Sequence, residues 1–157
     1  MRVAGIAVKM LSDRRPAVRL VVLSDAASPA VVEASEEYTS DDVDVPTQLH
    51  EIAKAVGSRL QGHVVDRVIV RRADVPKRAN NNEGPRRRLL AEGAATSAAR
   101  AKVVDTRIGT GKDIGAWYGT SKNLVDDDAA RLAKASSMNS KFVEATAAAL
   151  AGLALPT

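Results

Sequence analysis

The chain has 157 residues, of which 45% are hydrophobic, and this length and content predict a single domain over residues 1–157 with a full hydrophobic core. Its aromatic residues are few: Tyr38, Trp117, Tyr118 and Phe142. The core must therefore be built from aliphatic side chains, and an RNA-binding sheet with interleaved base-stacking aromatics is nearly excluded. The absence of cysteine excludes disulfides, thiolate zinc sites and cysteine nucleophiles, and two histidines cannot close a structural metal site.

The formal net charge of +4 is unevenly distributed along the chain. Residues 1–60 carry 7 basic and 9 acidic side chains, whereas residues 61–100 carry 9 and 4. Most of this excess lies in a basic cluster, which consists of Arg71, Arg72, Lys77, Arg78, Arg86, Arg87 and Arg88. Such a cluster attracts polyanions, because each phosphate that it neutralises releases condensed counterions. The alternative is a solvated surface whose arginines meet the acidic residues of 33–44.

Membrane insertion and secretion are not indicated by the sequence. No apolar stretch approaches the roughly 18 residues that a membrane span needs. Charged residues at Lys9, Asp13 and Arg14 interrupt the N-terminal region, where a signal peptide needs an uncharged segment. We therefore expect a soluble cytoplasmic protein without a membrane partner.

The first third of the chain predicts three strands. Residues 3–10 and 17–23 are short runs rich in β-branched side chains, and the turn-forming residues between them indicate a hairpin. A third run alternates in polarity, with Val32, Ala34 and Tyr38 on one face. This pattern is typical of a half-exposed edge strand.

The rest of the chain alternates between helix and strand signals. Apolar residues recur at helical spacing from Val45 to Leu60, and the apolar segment from His63 to Val70 predicts a central strand. After a connection rich in proline and asparagine the predicted elements are a helix over 85–101, a short strand at Val103 and Val104, a glycine-rich irregular segment over 108–120, and helices over 121–135 and 138–154.

The helix predicted over 85–101 has a narrow face of small side chains, formed by Ala94, Ser97, Ala98 and Ala101. Small side chains let the backbone of a second helix approach closely, because the distance between helix axes depends on the residues at the contact. We expect this face to form the contact of a homodimer. The alternative is that it packs on the sheet of its own chain.

The predicted order β-β-β-α-β-α-β-α-α requires an α/β fold with a mixed five-stranded sheet, because the later strands need crossover connections and their helices cover both faces. Several segments then carry a resemblance: the first strand with Val3-Ala4-Gly5-Ile6-Ala7, the strand end Val68-Ile69-Val70, the helix from Arg88, the glycine-bearing segment ending in Ser121-Lys122, and the alanine-rich last helix. In these features the chain resembles the RuvC-type branch of the ribonuclease H-like superfamily, the Holliday-junction resolvases. The resemblance implies a ribonuclease H-like fold and a nucleic-acid partner, DNA in particular.

The same resemblance raises the question of catalysis. Active members of this superfamily cut phosphodiesters with two metal ions, held by acids from the first strand, the fourth strand and the last helix. Here the stretch similar to the family's Gly-Ile-Asp ends in Ala7, and Arg71 and Arg72 stand where the fourth-strand acid is implied. Only Glu144 lies where the resemblance implies an acid, and one carboxylate cannot hold two hard cations.

Three functional interpretations follow. In the first, which we favour, the protein is a noncatalytic nucleic-acid-binding or scaffold protein without a cofactor, and phosphates are bound by the basic cluster with Lys112 and Lys122, the latter matching a lysine of active members. In the second, the protein is a structure-selective endonuclease dependent on Mg²⁺ or Mn²⁺, in which Glu144 acts with Asp74 or an acid of 126–128. In the third, it is a protein-interaction module that uses the small-residue face.

Overall fold

The computed structural model of the protein describes residues 1–26, 28–74 and 83–156. Its strands are β1 (Arg2–Met10), β2 (Pro16–Ser24), β3 (Val31–Thr39), β4 (Arg67–Arg71) and β5 (Asp105–Gly109). The first three strands pair antiparallel, and β4 pairs parallel with both β1 and β5. They form one sheet in the order β3-β2-β1-β4-β5, which confirms the predicted mixed five-stranded α/β fold and the edge position of β3.

Helices cover both faces of this sheet. They are α1 (Val45–His63), α2 (Glu83–Lys102), α3 (Gly111–Trp117), α4 (Lys122–Ala135) and α5 (Val143–Ala154), with a 3₁₀ turn (Ser140–Phe142) before α5. The helices α1 and α2 pack on one face, and α3, α4 and α5 pack on the other. None of the helices in the described residues is both long and apolar enough to cross a membrane.

The central strands are apolar on both sides because they contribute to two cores. In β1, Ile6 and Val8 belong to the core under α1 and α2, whereas Val3 and Ala7 belong to the core under α3, α4 and α5. A strand covered on both faces has no solvent side for polar residues. This arrangement explains the near-continuous apolar sequence of β1.

The alanine-rich helix α5 lies directly on β1. A Cβ atom at Gly5 would overlap the carbonyl oxygen of Ala145 and lie 2.5 Å from the backbone nitrogen of Ala149, so a side chain there would push the helix away. Farther along the helix, Gly152 makes a similar close approach to Val3. These contacts direct the N-terminal end of α5, which carries Glu144, towards the C-terminal end of β1.

The fifth strand begins after the two valines that were predicted to form it. Val103 directly follows α2, and its amide still donates to the carbonyl of Ala99, while Val104 is 78% exposed. The strand is instead the polar segment Asp105–Gly109, whose strand partner among the described residues is β4. The prediction was wrong because pairing with β4, and not local β propensity, determines where this edge strand lies.

Two further local predictions are corrected. The glycine-rich segment holds the short helix α3, which a capping box between Thr110 and Asp113 begins. In β3, Val32 faces the opposite core from Ala34 and Tyr38. The physical reason is a β-bulge opposite Val22 and Leu23, which inserts one residue and reverses the alternation.

Candidate nucleic-acid interface

Arg71 ends β4 and lies beside Ala7 in the parallel register of β1 and β4. Its side chain is 4% exposed, and its guanidinium donates to both carboxylate oxygens of Asp126 on α4, at 2.5 and 3.1 Å. Burial lowers the pKa of Arg71, but the hydrogen bonds to Asp126 and the charges of Glu144 and Asp74 outweigh it, so that the pKa is raised. Arg71 is therefore a buried, charged arginine held in a bidentate ion pair within the chain.

A second ion pair connects α2 to the chain segment just after β4. Glu92 is 1% exposed and accepts from Nε of Arg88 at 2.9 Å and from the backbone amide of Ala73 at 2.8 Å. The other side of the Arg88 guanidinium lies 3.6 Å from the carboxylate of Glu144. Arg88 thus bridges the first half of α2 and the start of α5. Sequence reasoning did not select Glu92, although its spacing of four residues from Arg88 is a recognisable helical pair.

The third pair involves Asp74, which lies three residues after the end of β4. Asp74 accepts from Nζ of Lys122 at 2.6 Å and from the backbone amide of Gly111 at 3.1 Å. The hydrogen bond from Lys122 is the main reason why the pKa of Asp74 is lowered. A Cβ at Gly111 would lie 2.8 Å from the Lys122 side chain, so glycine leaves room for this contact. We refer to the seven paired residues as the charge network: Arg71, Asp74, Arg88, Glu92, Lys122, Asp126 and Glu144.

The charge network does not fit a two-metal site. Each of its four carboxylates has an arginine or lysine of the same chain as a partner within 4.0 Å. Nowhere in residues 1–26, 28–74 and 83–156 do three or more His, Asp or Glu side chains form a group that could hold a metal ion. Two hard cations need several carboxylate oxygens that are free to coordinate them, and here those oxygens bind guanidinium and ammonium groups.

We expect Lys122→Met to raise the pKa of Asp74 towards its ordinary value. Since the folded-state pKa of Asp74 is depressed, its contact stabilises the fold above the pKa of an unfolded aspartate, about 4, and this contribution is lost as the pH falls below that value. The titration of the Asp74 carboxyl carbon by NMR measures the change. Lys112→Met is the control and should leave Asp74 unaffected, whereas an unchanged pKa in Lys122→Met would contradict the pairing.

Among the described residues, two further cations of the basic cluster lie outside the charge network without an ion pair. Arg72 and Arg87, and also Lys112 at the start of α3, form no ion pair within 4.0 Å with any residue in the described part of the chain. Lys77 and Arg78 lie outside the described residues. The alternative that the acids of 33–44 neutralise this cluster finds no ion pair in the described residues. Four of these acids, Glu33, Glu36, Glu37 and Asp41, pair with other cations: Arg2, Arg15, Arg19, Arg59, His63 and Lys141.

The small-residue face of α2 is divided between the core and solvent. Ala94 and Ala98 pack partly against the core shared with α1, while Ser97 and Ala101 are exposed. Gly93 precedes these four residues in α2, and a Cβ atom added there would meet nothing within 4 Å. Packing within the chain therefore accounts for part of this face only.

Comparison with known proteins identifies the fold. The sequence matches no family model and no curated protein. Among solved structures, RuvC of Thermus thermophilus is similar with a TM-score of 0.71 and 17% identity, and the match covers 98% of this chain and 94% of that one. The same protein in complex with a Holliday junction substrate has a TM-score of 0.72, with equal identity and coverage. The chain has a RuvC-type, ribonuclease H-like fold.

In this RuvC-type fold the ends of β1, β4 and α5 converge, as the resemblance implied. They place Ala7 beside Arg71, and Glu144 near enough to influence the charge of the Arg71 guanidinium. A methyl group and a guanidinium thus occupy two of the three positions for which the resemblance implies acids. Asp126, one of the candidate substitute acids, is the carboxylate that neutralises Arg71.

Proposed function

We propose that the protein is a noncatalytic RuvC-like nucleic-acid-binding protein, formed by a single domain over residues 1–157. The observation that carries this proposal is the buried ion pair of Arg71 and Asp126 beside Ala7. A guanidinium supplies positive charge, but it cannot activate a water molecule as a metal ion does by lowering the pKa of that water. The ion pair therefore supports a site without metal-dependent hydrolysis, and the attraction of phosphates falls to the cations outside the charge network.

The basic cluster and the neighbouring structures support nucleic acid as the partner. Arg72, Arg87 and Lys112 form no ion pair within 4.0 Å among the described residues, although Arg72 and Lys112 contribute to the lowered pKa of Asp113, so their hydrogen-bond donors are available to an external anion. Arginine and lysine in a loop and at a helix start reach phosphates more easily than base edges, which favours binding with little sequence preference. The similarity to a RuvC that was solved with a Holliday junction substrate supports DNA.

The endonuclease interpretation requires the ion pairs of the charge network to break. Asp74, Asp126 and Glu144 would have to release Lys122, Arg71 and Arg88 before they could coordinate metal ions. For the buried Arg71 this leaves a charge without a partner, which costs several kcal/mol. The ion pairs therefore favour the noncatalytic interpretation over displaced acids.

The test combines cleavage and binding. Branched and single-stranded DNA are incubated with Mg²⁺ or Mn²⁺, and binding is titrated at two salt concentrations. We expect binding that weakens steeply with salt, and no cleavage. Cleavage that Glu144→Gln abolishes would establish the endonuclease interpretation instead. Absence of binding at low salt would leave the protein-interaction module as the remaining interpretation. The cytoplasmic location is a separate prediction that this experiment does not test.

Combining Ala7→Asp with Arg71→Glu should create a Mn²⁺ site, because the new carboxylates join Asp126 and Glu144 at the ends of β1, β4, α4 and α5. Ligand at a hundred times its dissociation constant contributes about 2.7 kcal/mol, so the unfolding midpoint should rise by roughly 5 to 10 °C with Mn²⁺. Thermal unfolding with and without Mn²⁺ measures this shift. The uncharged control, Ala7→Asn with Arg71→Gln, should show none. A Mn²⁺ shift in the unmodified protein would contradict the proposal.

We also propose that the exposed side of α2 forms a homodimer. Leu90 is 51% exposed, and Gly93 leaves open space one turn further along the helix, although glycine within a helix costs about 0.5 to 1 kcal/mol. Gly93→Gln should therefore preserve the protomer and prevent a close helix pair. Sedimentation at tens of micromolar measures the mass. Gly62→Gln, at another open glycine, is the control, and a monomeric wild-type protein would contradict the proposal.

A further inference from the structure

A cavity of about 580 Å³ opens between the C-terminal ends of β1 and β4 and the first half of α2. Its lining is mainly apolar and includes Met10, Ala73, Pro85 and Leu89. This volume lies within the range of about 300 to 1,000 Å³ that is typical of small-molecule sites. The cavity adjoins the charge network, since Asp74, Arg88 and Glu92 also line it.

The charges of the cavity wall are not balanced. Asp74 is paired with Lys122, and Glu92 with Arg88, so neither carboxylate presents an uncompensated negative charge. Two lining cations, Lys9 and Arg72, form no ion pair within 4.0 Å in the part of the chain that the structure describes, although the charge of Arg72 contributes to the lowered pKa of Asp113. The cavity therefore combines an apolar surface with two cations that no direct ion pair among the described residues compensates. A group that suits it is flat and largely apolar and is attached to anions.

We propose that this cavity binds one unstacked nucleobase of a bound DNA strand, while the phosphates on either side of that nucleotide contact Lys9 and Arg72. This inference rests on the proposed nucleic-acid binding and adds a preference to it. Extracting a base from a duplex costs a few kcal/mol, whereas an unpaired base avoids most of that cost. The cavity therefore selects DNA that contains unpaired nucleotides, although the basic cluster alone would bind any duplex.

The choice of a base over another apolar group follows from the surroundings of the cavity. Arg72 and Arg88 belong to the basic cluster, so a strand whose phosphates lie on this cluster passes the opening. The side chains of Met10 and Leu89 offer aliphatic contact to the faces of a base, and an arginine plane can stack on it. These contacts do not depend on which base is present, in agreement with binding of little sequence preference.

Three DNA duplexes of equal length test the inference: one with a single unpaired thymidine, one with an abasic nucleotide at that place, and one fully paired. The abasic duplex keeps the same backbone charge and flexibility, so its comparison with the thymidine duplex isolates the base. We expect the wild-type protein to bind the thymidine duplex about tenfold more tightly than the abasic duplex, since one base contact contributes roughly 1 to 3 kcal/mol.

Two variants of the cavity should abolish this tenfold ratio. Leu89→Gln removes an apolar wall at a position that is 60% exposed, and Ala73→Met fills part of the volume. In both variants the affinity for the fully paired duplex and its salt dependence should stay unchanged. The matched control is Leu124→Gln, because Leu124 is 56% exposed on α4 and does not line the cavity.

The outcomes separate this inference from the proposed function. Equal binding of the thymidine and abasic duplexes by the wild-type protein would overturn the base site and leave nucleic-acid binding intact. A tenfold ratio that persists in both Leu89→Gln and Ala73→Met would also overturn it. If none of the three duplexes binds at low salt, the proposed function itself is overturned.

Discussion

Arg67→Met is expected to lower the free energy of unfolding by about 3 kcal/mol, because it removes a buried cation whose partners stay in place. Arg67 begins β4, and its side chain is 4% exposed. Its guanidinium pairs with Asp105 at 2.5 Å and donates to the carbonyls of Gly152, Leu155 and Pro156 at 2.7, 2.9 and 2.8 Å. Methionine fills a similar space but satisfies none of these acceptors.

The carbonyls that Arg67 binds belong to the last turn of α5 and the residues after it. The final carbonyls of a helix have no partner within the helix, and a cation near them is favourable because of the helix dipole. Arg67 therefore holds the C-terminal end of α5 against β4. Hydrogen exchange in Arg67→Met should increase most at the amides of residues 152–155, and denaturant unfolding measures the free energy.

Arg107→Met is the matched control for this prediction. Arg107 also pairs with Asp105, at 3.2 Å, but its side chain is 42% exposed. An exposed ion pair contributes at most about 1 kcal/mol, so this variant should unfold almost as the wild-type protein does. Equal losses in the two variants would show that burial of Arg67 is not the source of its effect.

Replacing Arg72, Arg87 and Lys112 together by alanine is expected to weaken DNA binding roughly a hundredfold or more at moderate salt. Each phosphate contact contributes about 0.9 to the slope of log affinity against log salt, so the slope should become shallower by roughly three units. These three cations form no ion pair in the described residues, so their loss leaves the charge network intact. Titration of a DNA duplex at several salt concentrations measures both quantities.

The control for this triple variant also removes three positive charges, but from surfaces away from the basic cluster. Lys54 is exposed on α1, and Arg100 and Lys134 are exposed near the C-terminal ends of α2 and α4, away from the ends of those helices that carry Arg88 and Asp126. Their joint replacement by alanine should change the salt slope only slightly. If the slope of log affinity against log salt becomes shallower by the same amount in both triple variants, net charge governs binding and the position of the basic cluster does not.

The sequence by itself determined the sheet and most of its helices. Alternation in the first strands, helical spacing from Val45 to Leu60 and the apolar run ending at Val70 are local patterns, and each produced an element at nearly the predicted place. Crossover connections then restricted the topology to a mixed sheet. The replacement of the expected acids by Ala7 and Arg71 was also visible in the sequence, because it needed only the position of each residue in its strand.

Only the tertiary structure decided which charges pair. Arg71 meets Asp126, which is 55 residues away, and Arg88 meets Glu144 from another helix. A local pattern shows that a residue is charged and which face it occupies, but its partner depends on which element ends the packing brings together. The bulge in β3 and the late start of β5 have the same origin, since register is set by neighbouring strands. The sequence therefore indicated that two of the acids implied by the resemblance are missing, while the network of ion pairs near their positions depends on contacts between distant segments.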